Sequence, residues 1–125
     1  MGLNVAMVTI DCADPERLAQ FWSAALQVPV QGTFGDFVFL AAAAGGGPMV
    51  GLQRVPEPRT GKNRLHLDLT GEARATAVPR LQALGASVLA EHEAPGLVWT
   101  VLCDPEGNQF CVGEHPDDEP SQAKR

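Results

Sequence analysis

Two residues of one predicted strand, His66 and Asp68 in the stretch NRLHLDLT, have types and a spacing that could support chemistry. Residues two apart on a strand point to the same face, so these two side chains are expected to lie side by side. An imidazole can act as a general base near neutral pH, and a neighbouring carboxylate can orient it. We therefore predict His66 and Asp68 as catalytic candidates. Three roles stay open for His66: a metal ligand, a base or substrate contact, and a hydrogen-bonded structural residue.

Cys111 is the third candidate, on a short predicted strand that follows a turn in the stretch DPEGNQFCV. A cysteine attacks a substrate or binds a soft metal only as the thiolate, which a neighbouring cation favours. A buried cysteine otherwise packs as a small apolar side chain. The turn is predicted from Asp104, Pro105 and Gly107, whose types suit the successive positions of a type I turn. It joins two strands into a hairpin.

The elements that must position these residues follow from hydrophobic periodicity and from turn signals, and they repeat the order β-α-β-β-β twice. The first helix is predicted to begin with Asp14 as N-cap and Pro15 at its first position. The second is predicted to stop at Gly85, and Pro79 inside it predicts a kink or a late start. The predicted strands are 3–11, 28–31, 35–41, 49–54, 63–70, 86–91, 97–103 and 108–113, and the predicted helices are 14–26 and 72–84.

Alternation along these strands sorts their residues into two faces. Leu65, Leu67 and Leu69 form an apolar face that is expected to pack on a helix. Two sets remain open in strand 97–103, one with Trp99, Val101 and Cys103 and one with Thr100 and Leu102. The residues predicted to line a ligand-binding cleft are Met7, Thr9, Gln53, His66, Trp99, Gln109 and Cys111.

Composition excludes several classes of function. A net charge of −6 and a pI near 4.9 oppose nucleic-acid binding, which requires a basic face. No apolar run reaches the roughly 20 residues of a membrane span, and no secretory leader is visible, so a cytoplasmic location is expected. The 3 cysteines show no C-x-x-C spacing, which predicts reduced thiols and neither a disulfide framework nor a structural zinc site.

The doubled βαβββ pattern, together with VTIDCADPERLAQFW, NRLHLDL and DPEGNQFCV, resembles the vicinal oxygen chelate superfamily. The resemblance is to its glyoxalase-like branch, which includes bleomycin-resistance-type proteins. It implies an α+β fold in which the curled mixed sheets of two βαβββ modules form a shared cleft. The single domain would span 1–113, with modules at 3–55 and 63–113, and the acidic segment 114–125 would be a flexible tail. A homodimer is also implied.

The resemblance implies a functional site as well. Metal-using members carry His, Glu or Gln at four positions, and these correspond here to Met7, Gln53, His66 and Cys111. Only His66 and Gln53 keep such donors, so they are the predicted metal ligands, and the expected cofactor is none or a weakly bound divalent metal. The predicted function is binding of a small-molecule ligand, an apolar or aromatic metabolite or antibiotic, at a degenerate metal site.

Two enzymatic alternatives stay open. One is a metal-dependent lyase or isomerase of the glyoxalase type that uses His66 and Gln53. The other is a metal-free enzyme in which His66 and Asp68 form an acid–base pair.

Overall fold

The computed structural model describes residues 2–114, and the chain divides between Thr60 and Gly61 into two compact units. Each unit contains one helix and one sheet of 4 strands. The predicted order β-α-β-β-β is confirmed in both. The first unit contains β1 (Met7–Cys12), α1 (Pro15–Leu26), β2 (Val30–Phe34), β3 (Phe37–Leu40) and β4 (Met49–Arg54). The second contains β5 (Leu67–Leu69), α2 (Arg74–Ala83), β6 (Ser87–Ala94), β7 (Leu97–Cys103) and β8 (Gln109–Glu114).

The first sheet has the order β1-β4-β3-β2, in which β1 runs parallel to β4 and the other pairs are antiparallel. Helix α1 begins as predicted, because the Asp14 side chain accepts a hydrogen bond from the backbone N–H of Arg17 at 3.2 Å and Pro15 is the first helical residue. The helix packs on β3 and β4. The core between them contains Leu18, Phe21, Trp22, Val38, Leu40, Val50 and Leu52.

The second sheet repeats this arrangement in the order β5-β8-β7-β6, with β5 parallel to β8. Helix α2 packs on β6, β7 and β8. Its buried residues are Ala77 and Leu81, and the strands contribute Leu102, Phe110 and Val112 to the same core. Each sheet therefore has one face packed on its helix and one face turned away from it, which we call the distal face.

The turn between β7 and β8 is organised by Asp104, which is buried. Its carboxylate accepts hydrogen bonds from the backbone N–H groups of Glu106 at 2.9 Å and Asn108 at 3.0 Å. The Asn108 amide donates to both carboxylate oxygens. Gly107 adopts a φ of 90°, which glycine tolerates better than other residues. The predicted hairpin is confirmed.

Strand β5 is shorter than the predicted strand 63–70. Because Leu67 pairs with Phe110, continuing the parallel register would set Leu65 opposite Asn108, whose backbone and side chain are already bonded to Asp104 in the turn. The pairing therefore stops, and Leu65 is 85% exposed. The prediction that Leu65 packs on the helix is wrong, whereas Leu67 and Leu69 are partly buried.

The second helix begins at Arg74, two residues after the predicted start, and runs through Pro79. Its N-cap residue supplies no side-chain hydrogen bond. Instead the Glu114 carboxylate accepts the backbone N–H of Arg74 at 3.3 Å and pairs with its guanidinium at 3.4 Å. A carboxylate at this end also matches the helix dipole. Glu114 was predicted to belong to the tail, yet it is the buried last residue of β8.

The rest of the predicted tail, residues 115–125, lies outside the described part of the chain. Within residues 2–114, no helix is both long enough and apolar enough to cross a membrane. The cytoplasmic location stays a prediction.

Candidate functional site

The distal face of the second sheet brings three predicted site residues onto neighbouring strands. Asp68 pairs with Cys111 in the parallel register, and Val101 pairs with Cys111 on the other side. Trp99 shares the side of Val101 because it lies two residues away on β7. The opposite set faces α2, since Thr100 accepts a hydrogen bond from Arg74 at 2.8 Å. Trp99, Val101 and Cys103 therefore lie on the distal face. That Trp99 lines a ligand-binding cleft stays a prediction.

His66, Asp68 and Cys111 form a compact cluster on this face. The His66 Nε2 lies 3.3 Å from an Asp68 carboxylate oxygen, and Cys111 is the residue opposite Asp68 in the β5–β8 pair. One donor atom from each residue lies within 4.8 Å of the other two. Cys111 is buried at the base of the cluster, while the side chains of His66 and Asp68 are 42% and 70% exposed. The predicted pair is thus a cluster of three residues, joined through Asp68.

Asn63 positions the segment that leads into this cluster, a role that the sequence analysis missed. Its side-chain oxygen accepts the backbone N–H of Gln109 at 3.0 Å, and its amide donates to the Gln109 carbonyl at 3.4 Å. The same amide donates to the carbonyl of Leu65. Asn63 therefore ties the residues just before His66 to the first residue of β8. Asparagine is common at such turns, but its partner across the sheet has no local signal.

The surroundings of Cys111 favour the protonated thiol. Burial raises the pKa of the Cys111 thiol, and Asp68 raises it further through its negative charge and by accepting a hydrogen bond. Lys62 acts in the opposite direction as a weaker cause. Because the thiolate is the reactive form, Cys111 is a poor nucleophile in the protein without a metal.

The distal face of the first sheet holds the other predicted site residues, Met7, Thr9 and Gln53. Thr9 pairs with Gly51, and both Thr9 and Gln53 are exposed. Gly51 is covered by its neighbours: a Cβ built there would lie 2.6 Å from Cζ of Phe37 and 2.9 Å from the sulfur of Met7. The Met7 side chain is thus packed on its own sheet.

Three phenylalanines continue this surface across β2 and β3. The Phe34 and Phe39 rings stack with centroids 5.7 Å apart, and the Phe37 and Phe39 rings stack at 6.0 Å. The Phe39 ring lies over Gly32, where a Cβ would come within 2.8 Å of it. We call Phe34, Phe37 and Phe39 the aromatic ladder. Their alternate spacing on a hairpin was a usable signal, because Gly35 and Asp36 form a two-residue turn that pairs Phe34 with Phe37.

The four positions that the resemblance assigns to a divalent metal do not fit a hard ion. Such an ion prefers several oxygen or imidazole ligands. Met7 offers a thioether that is packed over Gly51, and Cys111 offers a thiol whose pKa is raised by burial and by Asp68. Of the predicted metal ligands, Gln53 lies on the first unit and His66 on the second. Their pairing at a metal stays a prediction.

Comparisons with known proteins agree on the fold. A family model described as a glyoxalase-like domain matches residues 7–113. A search of curated proteins found no match.

Three solved structures illustrate the likeness. One is a glyoxalase/bleomycin resistance protein/dioxygenase family enzyme from Burkholderia phytofirmans PsJN, with 19% identity, a TM-score of 0.76 and coverage of 89% of this chain and 98% of that one. A second is a glyoxalase/bleomycin resistance protein/dioxygenase from Nocardioides, with 13% identity, a TM-score of 0.73 and coverage of 95% and 87%. A third is a lactoylglutathione lyase from Agrobacterium tumefaciens, with 20% identity, a TM-score of 0.65 and coverage of 90% and 94%. At these identities the likeness is one of fold, and the predicted α+β class with two modules is confirmed.

Proposed function

We propose a function from one premise: this chain belongs to the glyoxalase-like domain family, whose model matches residues 7–113. The proposed function is binding of a small molecule, and the ligand is a flat apolar or aromatic compound. The aromatic ladder is the observation that carries this proposal. Phe34, the ring at one end of the ladder, is 71% exposed, and the rings of Phe39 and Phe37 that stack behind it offer a continuous apolar surface.

The energetics of such a surface favour a planar ligand. Each ring that stacks on a ligand ring adds about 0.5–1.5 kcal/mol beyond the burial of apolar area. The Met7 side chain, packed over Gly51, extends the same apolar face with a polarizable sulfur that suits contact with a ring.

The second unit supports the proposal independently. Trp99 stacks on His92 with centroids 5.4 Å apart, and Gly113 pairs with Trp99. Binding sites commonly combine apolar walls with a few polar groups that fix the ligand's orientation. His66 and Asp68, on the same face as Trp99, supply such groups. The shared cleft and the homodimer that the resemblance implies belong to this proposal.

Binding of naphthol derivatives to protein held in a metal chelator tests the proposal. We expect calorimetry to detect saturable binding that Phe34→Ala weakens about twofold to tenfold, the equivalent of one lost ring contact. Val30→Ala is the matched control, because Val30 is an exposed apolar residue of the same strand whose partner, Leu40, is buried on the helix side. Absence of binding to all derivatives, or an equal loss in both variants, contradicts the proposal.

A second candidate function is metal-free proton transfer, and the contact of 3.3 Å between His66 and Asp68 favours it. In this scheme His66 takes a proton from a carbon next to a carbonyl, and Asp68 stabilises the imidazolium. Solvent deuterium exchange into α-hydroxy ketones, followed by NMR, tests this scheme. The exchange should disappear in His66→Ala and persist in His92→Ala, and equal rates in both variants would refute it.

A further inference from the structure

We infer that His66, Asp68 and Cys111 form a binding site for a borderline-soft divalent metal such as Zn²⁺, built within the second unit alone. The site differs from the four positions implied by the resemblance, because Asp68 replaces the donors expected at Met7 and Gln53. The inference does not depend on the aromatic ligand proposed above.

The backbone brings the three donors together before any metal is present. Asp68 and Cys111 are fixed opposite each other by the parallel pairing of β5 and β8. His66 precedes Asp68 by two residues and already contacts its carboxylate. Asn63 holds the segment before His66 against the start of β8.

The distances suit a metal after small rotations of side chains. Zinc binds nitrogen and oxygen at about 2.0 Å and sulfur at about 2.3 Å, so two of its ligands lie within about 4 Å of each other. The donor atoms here lie within 4.8 Å of one another. His66 and Asp68 are exposed enough to adjust, whereas the buried Cys111 supplies a fixed anchor.

The donor types determine which metal fits. A thiolate, an imidazole and a carboxylate form the mixed sulfur, nitrogen and oxygen set that zinc accepts, and three protein ligands leave a fourth position open. Mg²⁺ and Ca²⁺ prefer oxygen ligands and avoid sulfur. On binding, the metal takes the place of the Cys111 thiol proton, which leaves to solvent. The thiolate and carboxylate together then balance the charge of the ion.

Titration of the metal-free protein with Co²⁺ tests the site, because a cobalt–thiolate bond gives a near-ultraviolet charge-transfer band. We expect the band to saturate at one equivalent, to be displaced by Zn²⁺ and to resist excess Mg²⁺. Cys111→Ser should abolish the band. Cys103→Ser is the matched control, because Cys103 lies on the same face of the sheet, and it should keep the band.

Three further variants define the ligand set. Loss of an outer partner of a metal ligand costs about 10–100-fold in affinity, so His66→Ala and Asp68→Ala should each weaken Co²⁺ binding at least about tenfold. Gln53→Ala should leave the affinity unchanged. Far-ultraviolet circular dichroism checks that each variant is folded. If Cys111→Ser does not fold, His66→Ala carries the test, because the exposed His66 side chain can be replaced without disturbing the core.

The inference is overturned if wild-type protein gives no thiolate band, if Cys103→Ser removes it, or if Gln53→Ala weakens binding as much as Asp68→Ala. Failure of naphthol binding leaves these results unaffected, because the metal titration contains no aromatic ligand.

Discussion

Replacement of Gly51 by alanine is expected to destabilise the first unit through one identifiable contact. The new Cβ would lie 2.6 Å from Cζ of Phe37 and 2.9 Å from the Met7 sulfur, both closer than atoms can approach. Overpacking of this kind costs about 1–3 kcal/mol. Alanine in place of glycine in a strand returns about 0.5–1 kcal/mol of backbone entropy. We therefore expect the free energy of unfolding to fall by about 1–2 kcal/mol.

In a Phe37→Ala background, Gly51→Ala should leave the free energy of unfolding unchanged or raise it. The closest clash is then absent, and the unbranched Met7 side chain can rotate away from the new methyl group. Only the entropic gain remains. A double-mutant cycle should consequently give a coupling of about 1–3 kcal/mol between positions 37 and 51, because the entropic gain cancels and only the cost of the overpacking remains.

Urea unfolding followed by far-ultraviolet circular dichroism measures these differences. Gly45→Ala is the control, because a Cβ at Gly45 meets no atom within 4 Å and its φ is not positive. It should change stability by less than about 0.5 kcal/mol. The reasoning fails if Gly51→Ala is as stable as the wild type, or if its cost is the same with and without Phe37.

Three further outcomes are expected. Asp104→Ala should lower the free energy of unfolding by about 3 kcal/mol, because two backbone N–H groups of the turn lose their acceptor; urea unfolding should show a smaller loss in Asp104→Asn. In metal-free protein the pKa of the Cys111 thiol is raised, so above about pH 8.5 the unfolded state releases a proton that the folded state still holds. The contribution of this thiol to the free energy of unfolding is therefore complete below that pH and falls as the pH rises towards the folded pKa. Alkylation rates against pH should show a lower midpoint in Asp68→Asn, and an unchanged midpoint contradicts the assigned role of the carboxylate. Glu114→Gln should lower the free energy of unfolding by about 3 kcal/mol, because it breaks the largely buried ion pair with Arg74 at the start of α2. Glu72→Gln, at the more exposed pair with Arg80, should lower it by less than about 1 kcal/mol. Equal losses in thermal unfolding would refute the distinction.

Local signals explain which parts of the fold were predictable. The start of α1 depends on Asp14 and Pro15, and the turn after β7 depends on Asp104 and Gly107, so neighbouring residues were sufficient. The strands 49–54 and 97–103 were predicted with their observed bounds. The end of β5 was not predictable, because it depends on where β8 begins.

The candidate site shows the same division. Alternation sorted His66 and Asp68 onto one face, but the contact between Asp68 and Cys111 depends on the register of a parallel strand pair, which sequence periodicity does not fix. Asn63 was missed for a related reason, because its partner Gln109 is set by pairing between distant strands. The aromatic ladder, in contrast, had a local signal in the two-residue turn at Gly35 and Asp36.

The pairing of β5 with β8 also has a consequence for folding kinetics. These are the first and last strands of the second unit, so their contact closes the longest loop within it. Contacts between residues far apart in sequence carry the largest loop-closure entropy and slow folding. The cluster of His66, Asp68 and Cys111 therefore depends on the contact that carries the largest loop-closure cost in the unit. During refolding, protection of the Cys111 thiol from alkylation would report when β5 pairs with β8.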